Sequence, residues 1–136
     1  MLIFKDFITV EEEDNLLREL EVHLKRLRYE YDHWDDAIHG YRETERKSWK
    51  KENQTIVDRI RNVAFEENSK LLPLVHVLDL SKDGWIKPHV DSVKFCGDTI
   101  AGISLLSSAV MRLINEGDKT KFGDVLLERR SLYVMK

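Results

Sequence analysis

The residues able to do chemistry are few, and two groups share one spacing. His33-Trp34-Asp35 and His89-Val90-Asp91 each place a histidine two residues before an aspartate. On an extended backbone, residues i and i+2 project from the same face, so such a pair can grip one metal ion. A histidine–carboxylate pair is part of the donor set of 2-His-1-carboxylate iron sites. The tripeptide alone is a weak signal, since most matches are ordinary surface residues. Context separates the two copies. His33 sits among Asp32, Asp35 and Asp36 with no strand pattern around it. His89 follows a β-type run, a glycine turn at Gly84, Trp85 and Pro88, and more strands come after it. Pro88 fixes its own φ and pushes Lys87 toward an extended conformation. The expectation is that His89 and Asp91 are metal ligands at a strand end in a sheet pocket.

Other reactive groups have less support. Cys96, the single cysteine, lies between Phe95 and Gly97 and reads as a small apolar filler. It permits no internal disulfide and fits a reducing compartment. Ser92, Ser104, Ser107, Ser108 and Ser131 lack a nucleophile-elbow setting. No phosphate loop or dinucleotide fingerprint occurs.

The elements that must position these residues change character along the chain. Thr9 and Glu12 have capping-box spacing, and Leu16, Leu17, Leu20, Leu24 and Leu27 form an apolar stripe at helical period. Acidic residues crowd the first turn and Lys25, Arg26 and Arg28 crowd the expected last turn, in line with the helix dipole. A second helix is expected over about 53–67, with Ile56, Val57, Ile60, Val63 and Ala64 on one face. Strands are expected at 38–44, 74–80, 85–87, 92–95, 99–106, 110–114, 124–127 and 131–135, with turns at 81–84 and 115–118. Aromatics among basic residues in 29–51 could stack on bases or simply anchor an irregular segment. Helices first and closely spaced strands afterwards imply an α+β domain whose sheet part is a sandwich or barrel.

The chain has 136 residues and 16.1 kDa, the size of one domain able to bury a core. Its net charge of −3 argues against a general nucleic-acid-coating protein. Residues 1–68 hold 12 Lys+Arg against 17 Asp+Glu, whereas 69–136 hold 10 against 8. That acidic first half would repel a phosphate backbone. No run approaches the roughly 18 apolar residues of a membrane span, and the start reads as too short for a secretory signal or transit peptide.

Three stretches carry a resemblance: YEYDHWDDAIHGYRETE at 29–45, HVLDLSKDGWIKPHVDSVKFCGDTIAGISLL at 76–106, and RSLYVM at 130–135. Together they resemble the AlkB family of Fe(II)/2-oxoglutarate dioxygenases, and its mitochondrial member above all. The resemblance implies N-terminal helices packed on a double-stranded β-helix, or jelly roll. It implies Fe(II) held by His89 and Asp91, and Tyr133 lining a 2-oxoglutarate pocket. A second reading of Tyr133 is an ordinary sheet tyrosine. The resemblance further implies 2-oxoglutarate and O2 as co-substrates, a mitochondrial location, and links to programmed necrosis and fatty-acid metabolism. A protein or other non-duplex substrate is favoured over RNA. The family's distal iron histidine and 2-oxoglutarate arginines lie beyond the tyrosine strand, and Arg129 and Arg130 precede it. The expectation is therefore a single domain over 1–136 that lacks its last jelly-roll strands. The alternative function is a non-catalytic binding or regulatory module, and a weaker third reading is a small α+β binding domain with an incidental His-x-Asp.

Overall fold

The computed structural model describes residues 1–31, 37–90 and 97–136. The chain begins with a three-residue strand, β1 (Leu2–Phe4), and then enters helix α1 (Val10–Leu24). The capping box at its start is complete. Thr9 Oγ1 accepts the Glu12 N–H at 3.1 Å and Glu12 Oε1 accepts the Thr9 N–H at 2.9 Å. The leucine stripe is real but shorter than expected. Leu16, Leu20 and Leu24 are buried, while Leu27 lies past the helix end and is exposed. Lys25, Arg26 and Arg28 likewise fall beyond the last turn, where His23 is the basic residue.

Helix α2 (Lys51–Ala64) starts earlier and ends earlier than the sequence suggests. Its N-cap, Lys50, has no capping side chain of its own. The buried carboxylate of Glu19, on α1, supplies the cap instead. It accepts the Lys50 N–H at 3.0 Å and the Asn53 side-chain amide at 2.8 Å. One helix thus satisfies an orphan donor of the other. Ile56, Val57 and Ala64 are buried on its inner face, whereas Val63 is exposed.

Among the described residues, every pairing between strands is antiparallel. A three-stranded sheet has the order β1-β7-β4, where β4 is Ile100–Ile103 and β7 is Leu132–Met135. Its centre is therefore the strand latest in sequence. Leu132 and Val134 point from β7 into a core with Ala64, Ile60, Phe65, Ala101 and Ile103. A contiguous cluster of Ile8, Leu16 and Ile56 shares Phe7, Ile60 and Ile103 with it. Both helices contribute to this core, which covers one face of the sheet. A fully buried leucine of this kind contributes roughly 2–3 kcal/mol by area removed from water.

The other two sheets are ribbons. Strand β2 (Ile38–Arg46) pairs with β3 (Val75–Ile86), and β5 (Ala109–Ile114) pairs with β6 (Phe122–Leu127). The expected turn at 81–84 does not end a strand. β3 runs through it, and the register shifts so that Gly40 alone stands opposite 81–84. Gly40 has φ +65, and a Cβ there would strike the Ser81 hydroxyl, so the irregularity needs glycine. Turn-forming residues here build a bulge between two paired stretches. The expected strand at 92–95 lies outside the described residues.

The β2–β3 ribbon is tied to the end of α1 by one arginine. Arg42 donates to the Leu24 carbonyl at 3.0 Å and to Asp79 at 2.7 Å, and lies 4.9 Å from the centre of the Tyr29 ring. The arginine thereby meets the negative end of the helix. Tyr29 completes the group by donating to the same Asp79 oxygen at 2.7 Å. Tyr29 is therefore an anchor for this part of the 29–51 segment, the second of the two readings above.

Candidate functional site

His89 stands three residues beyond the end of β3. The ladder reaches past Ile86, because the Lys87 N–H donates to the Ala37 carbonyl at 2.7 Å. Lys87 lies over the Trp85 ring at 5.7 Å, and Trp85 stacks on His39 at 4.3 Å. The strand end is thus held from both sides before Pro88 turns the chain toward His89. The His89 Nδ1 is 3.0 Å from the Lys87 carbonyl oxygen. A carbonyl only accepts, so that contact calls for a proton on Nδ1. Metal-ligating histidines are commonly fixed by such a backbone carbonyl. The imidazole is exposed rather than enclosed in a sheet pocket. Asp91, its expected partner, lies outside the described residues, as do His33, Asp35 and Cys96.

The remaining described histidines have other attachments. His39 stacks on Trp85, His76 lies 2.7 Å from Glu43 on the neighbouring strand, and His23 sits in the last turn of α1. Among the described residues, no group of three His, Cys, Asp or Glu side chains is placed to hold a metal. Of the expected donor pair only His89 is described, an exposed imidazole whose Nδ1 faces a backbone carbonyl.

Tyr133 is the second residue of β7, paired with Ile3 on one side and Gly102 on the other. Side chains alternate along a strand, so with Leu132 and Val134 in the core Tyr133 lies on the sheet face away from the helices. Gly102 is what admits the ring. A Cβ at position 102 would fall on the far end of the Tyr133 ring, so the phenol lies flat across the glycine. Ile3, Ile100, Gly102, Tyr133 and Met135 together make a half-buried second face. His89 and Tyr133 therefore stand on different sheets, one on the ribbon and one on the three-stranded sheet.

One buried group was not singled out from the sequence. Glu13, read only as a first-turn acid, is completely buried. Its carboxylate accepts Arg129 Nη2 at 2.6 Å, Arg129 Nε at 2.8 Å and the Leu106 N–H at 3.0 Å. Burial pushes its pKa up. The Arg129 hydrogen bonds, the Leu106 N–H and the nearby Arg129 and Arg130 charges outweigh that, and the carboxyl is held below its ordinary value. The available signal was helical register, since Glu13 is three residues before Leu16 in line with the apolar stripe.

Comparison with known proteins gives two close matches. The chain is 54% identical over 135 residues to a Mus musculus protein named alpha-ketoglutarate-dependent dioxygenase alkB homolog 7, mitochondrial. That match covers 99% of the chain and 61% of the mouse protein. It is 53% identical over 130 residues to the Bos taurus protein of the same name, covering 96% of the chain and 59% of that relative. The chain thus spans about three fifths of the length of the curated relatives it matches. No family model matches the chain. No helix among the described residues is long and apolar enough to cross a membrane.

Proposed function

We propose that this chain carries part of the site of a mitochondrial Fe(II)- and 2-oxoglutarate-dependent dioxygenase of the AlkB type. The observation that carries the proposal is identity above one half across nearly the entire chain to two relatives with that name. The described half of the donor pair is consistent with it. His89 would supply an imidazole nitrogen to the metal, and Asp91 two residues on would add a carboxylate oxygen. When bound, iron with 2-oxoglutarate and O2 would insert one oxygen atom into a substrate C–H bond and convert 2-oxoglutarate to succinate and carbon dioxide.

The chain's own residues would do three things. The β2–β3 ladder fixes the strand end, so that His89 is presented rather than left to swing. The Lys87 carbonyl, 3.0 Å from Nδ1, orients the imidazole. Tyr133, laid over Gly102 on the half-buried face of the sheet away from the helices, would line the 2-oxoglutarate pocket. The antiparallel pairing of the described strands, and a central strand whose neighbours are distant in sequence, support reading the strands as part of a jelly roll. The acidic first half favours a protein or other non-duplex substrate over RNA.

Manganese(II), which binds such donor sets without turnover, tests the metal assignment by calorimetric titration. One Mn(II) is expected per chain, with affinity falling about tenfold or more in His89→Ala and in Asp91→Ala. His76→Ala should leave it unchanged. Equal affinity in all four proteins would contradict the assignment.

A further inference from the structure

The fully buried carboxylate of Glu13 touches the two segments that flank the Tyr133–Gly102 contact. On one side is Leu106, three residues past the end of β4, which carries Gly102. On the other is Arg129, three residues before β7, which carries Tyr133. Both segments have unusual backbones. Leu106 has φ +70 and is spanned by a Ser107 N–H to Leu105 carbonyl bond of 2.8 Å, a tight three-residue turn. Arg130 has φ +66, and the 128–131 turn is closed by Ser131, whose N–H and hydroxyl both donate to the Glu128 carbonyl. Left-handed backbone at non-glycine residues persists only where the surroundings over-determine it. The two segments also bond each other, with Arg130 N–H to the Ser104 carbonyl at 2.7 Å and Ser104 N–H to the Ser131 carbonyl at 3.0 Å.

A buried ion pair is a poor way to gain stability, because apolar residues of the same volume often serve as well. What it offers is direction: two fixed oxygens receiving a guanidinium fork and a backbone N–H. From this we infer that Glu13 is a positioning residue that, through Arg129 and Leu106, sets the register of β4 against β7 and so the placement of the Tyr133 ring across Gly102. The inference rests on the reading of Tyr133 as a 2-oxoglutarate contact only for its consequence, not for its geometry. Glu13 lies 120 positions before Tyr133 and touches no substrate; it acts through the two turns.

Fluorotyrosine labelling and fluorine NMR of the full chain separate the two questions. The chain has four tyrosines, and Tyr133→Phe identifies the relevant resonance. Gly102→Ala, which displaces the ring directly, should shift that resonance. Glu13→Gln should shift or broaden it as well, while the buried Tyr41 on β2 stays in place. Arg129→Gln breaks the same pair from its solvent side and should reproduce the change if Glu13→Gln does not fold. A Tyr133 resonance unmoved by Glu13→Gln or Arg129→Gln, yet moved by Gly102→Ala, would overturn the inference. A 2-oxoglutarate titration in the presence of Mn(II) then reads the consequence. Affinity about tenfold weaker in both Glu13→Gln and Gly102→Ala is expected. Failure of the unaltered chain to bind 2-oxoglutarate would count against the co-substrate reading alone, because the NMR result decides the positioning role without it.

Discussion

Leu132→Ala is expected to destabilise the chain by about 3 kcal/mol, the largest effect of any single truncation in the sheet. Leu132 is fully buried at the start of the central strand, between β1 and β4, and packs against the Ala64 end of α2. Removing its side chain takes away transfer free energy and leaves a cavity lined by both helix and sheet, which cannot close without moving one of them. Thermal unfolding should show a midpoint lower by roughly 10 °C for a domain of this size. Leu126→Ala on β6 is the contrast. Leu126 is 54% exposed, so its loss should stay within about 0.5 kcal/mol. Similar shifts for the two variants would mean that the core does not sit where the three-stranded sheet meets the helices.

Glu13→Ala is expected to cost about 2–3 kcal/mol at neutral pH. Breaking a buried pair by removing one partner commonly costs 3–5 kcal/mol. The lower figure follows because the Arg129 side chain is 47% exposed and can turn to water. The effect carries a pH signature. Burial raises the Glu13 pKa and the Arg129 and Leu106 bonds more than offset it, so the folded value is depressed. Such a group contributes its full stability above the unfolded glutamate value, and the contribution is lost as pH falls through the folded value. The stability gap between the unaltered chain and Glu13→Ala should therefore be widest at pH 6–7 and narrow below about pH 4. A gap that is constant down to about pH 3, measured by urea unfolding, would show that the ionised carboxylate is not what holds the turns.

Some of this architecture was legible because local chemistry decides it. Thr9 and Glu12 specify the start of α1 within three residues, and the structure uses both reciprocally. Short apolar runs at Val110–Ile114 and Asp124–Leu127 with turn residues at 115–118 between them mark the β5–β6 hairpin, although its loop extends to Lys121 through Asn115 and Asp118 bonds. What stayed hidden depends on partners far along the chain. α2 begins at Lys51 because Glu19 of α1 caps it, which no window around Lys50 could reveal. Ser81-Lys82-Asp83-Gly84 has turn composition, but Gly40 opposite converts it into a bulge. β1 is only three residues with Leu2 largely exposed, too short for a pattern. Glu13 differs from its acidic neighbours by standing in line with the apolar stripe, but its partner Arg129 lies too far along the chain to be read from that register. For the site, the placement of His89 just past a strand end was legible, and its exposure was not. Tyr133 was legible as a sheet residue, while the glycine that lays its ring flat came only from the pairing with β4.

The central proposal is that His89 and its neighbours form part of a site for iron- and 2-oxoglutarate-dependent oxidation. Its most direct test is succinate formation from 2-oxoglutarate by this chain, with Fe(II), ascorbate and O2 supplied and His89→Ala run alongside. The account predicts succinate above the protein-free rate, and a fall to that rate in His89→Ala while the variant's melting temperature is unchanged. Succinate formation equal in the two proteins, or none from either when both bind Mn(II) alike, would contradict it.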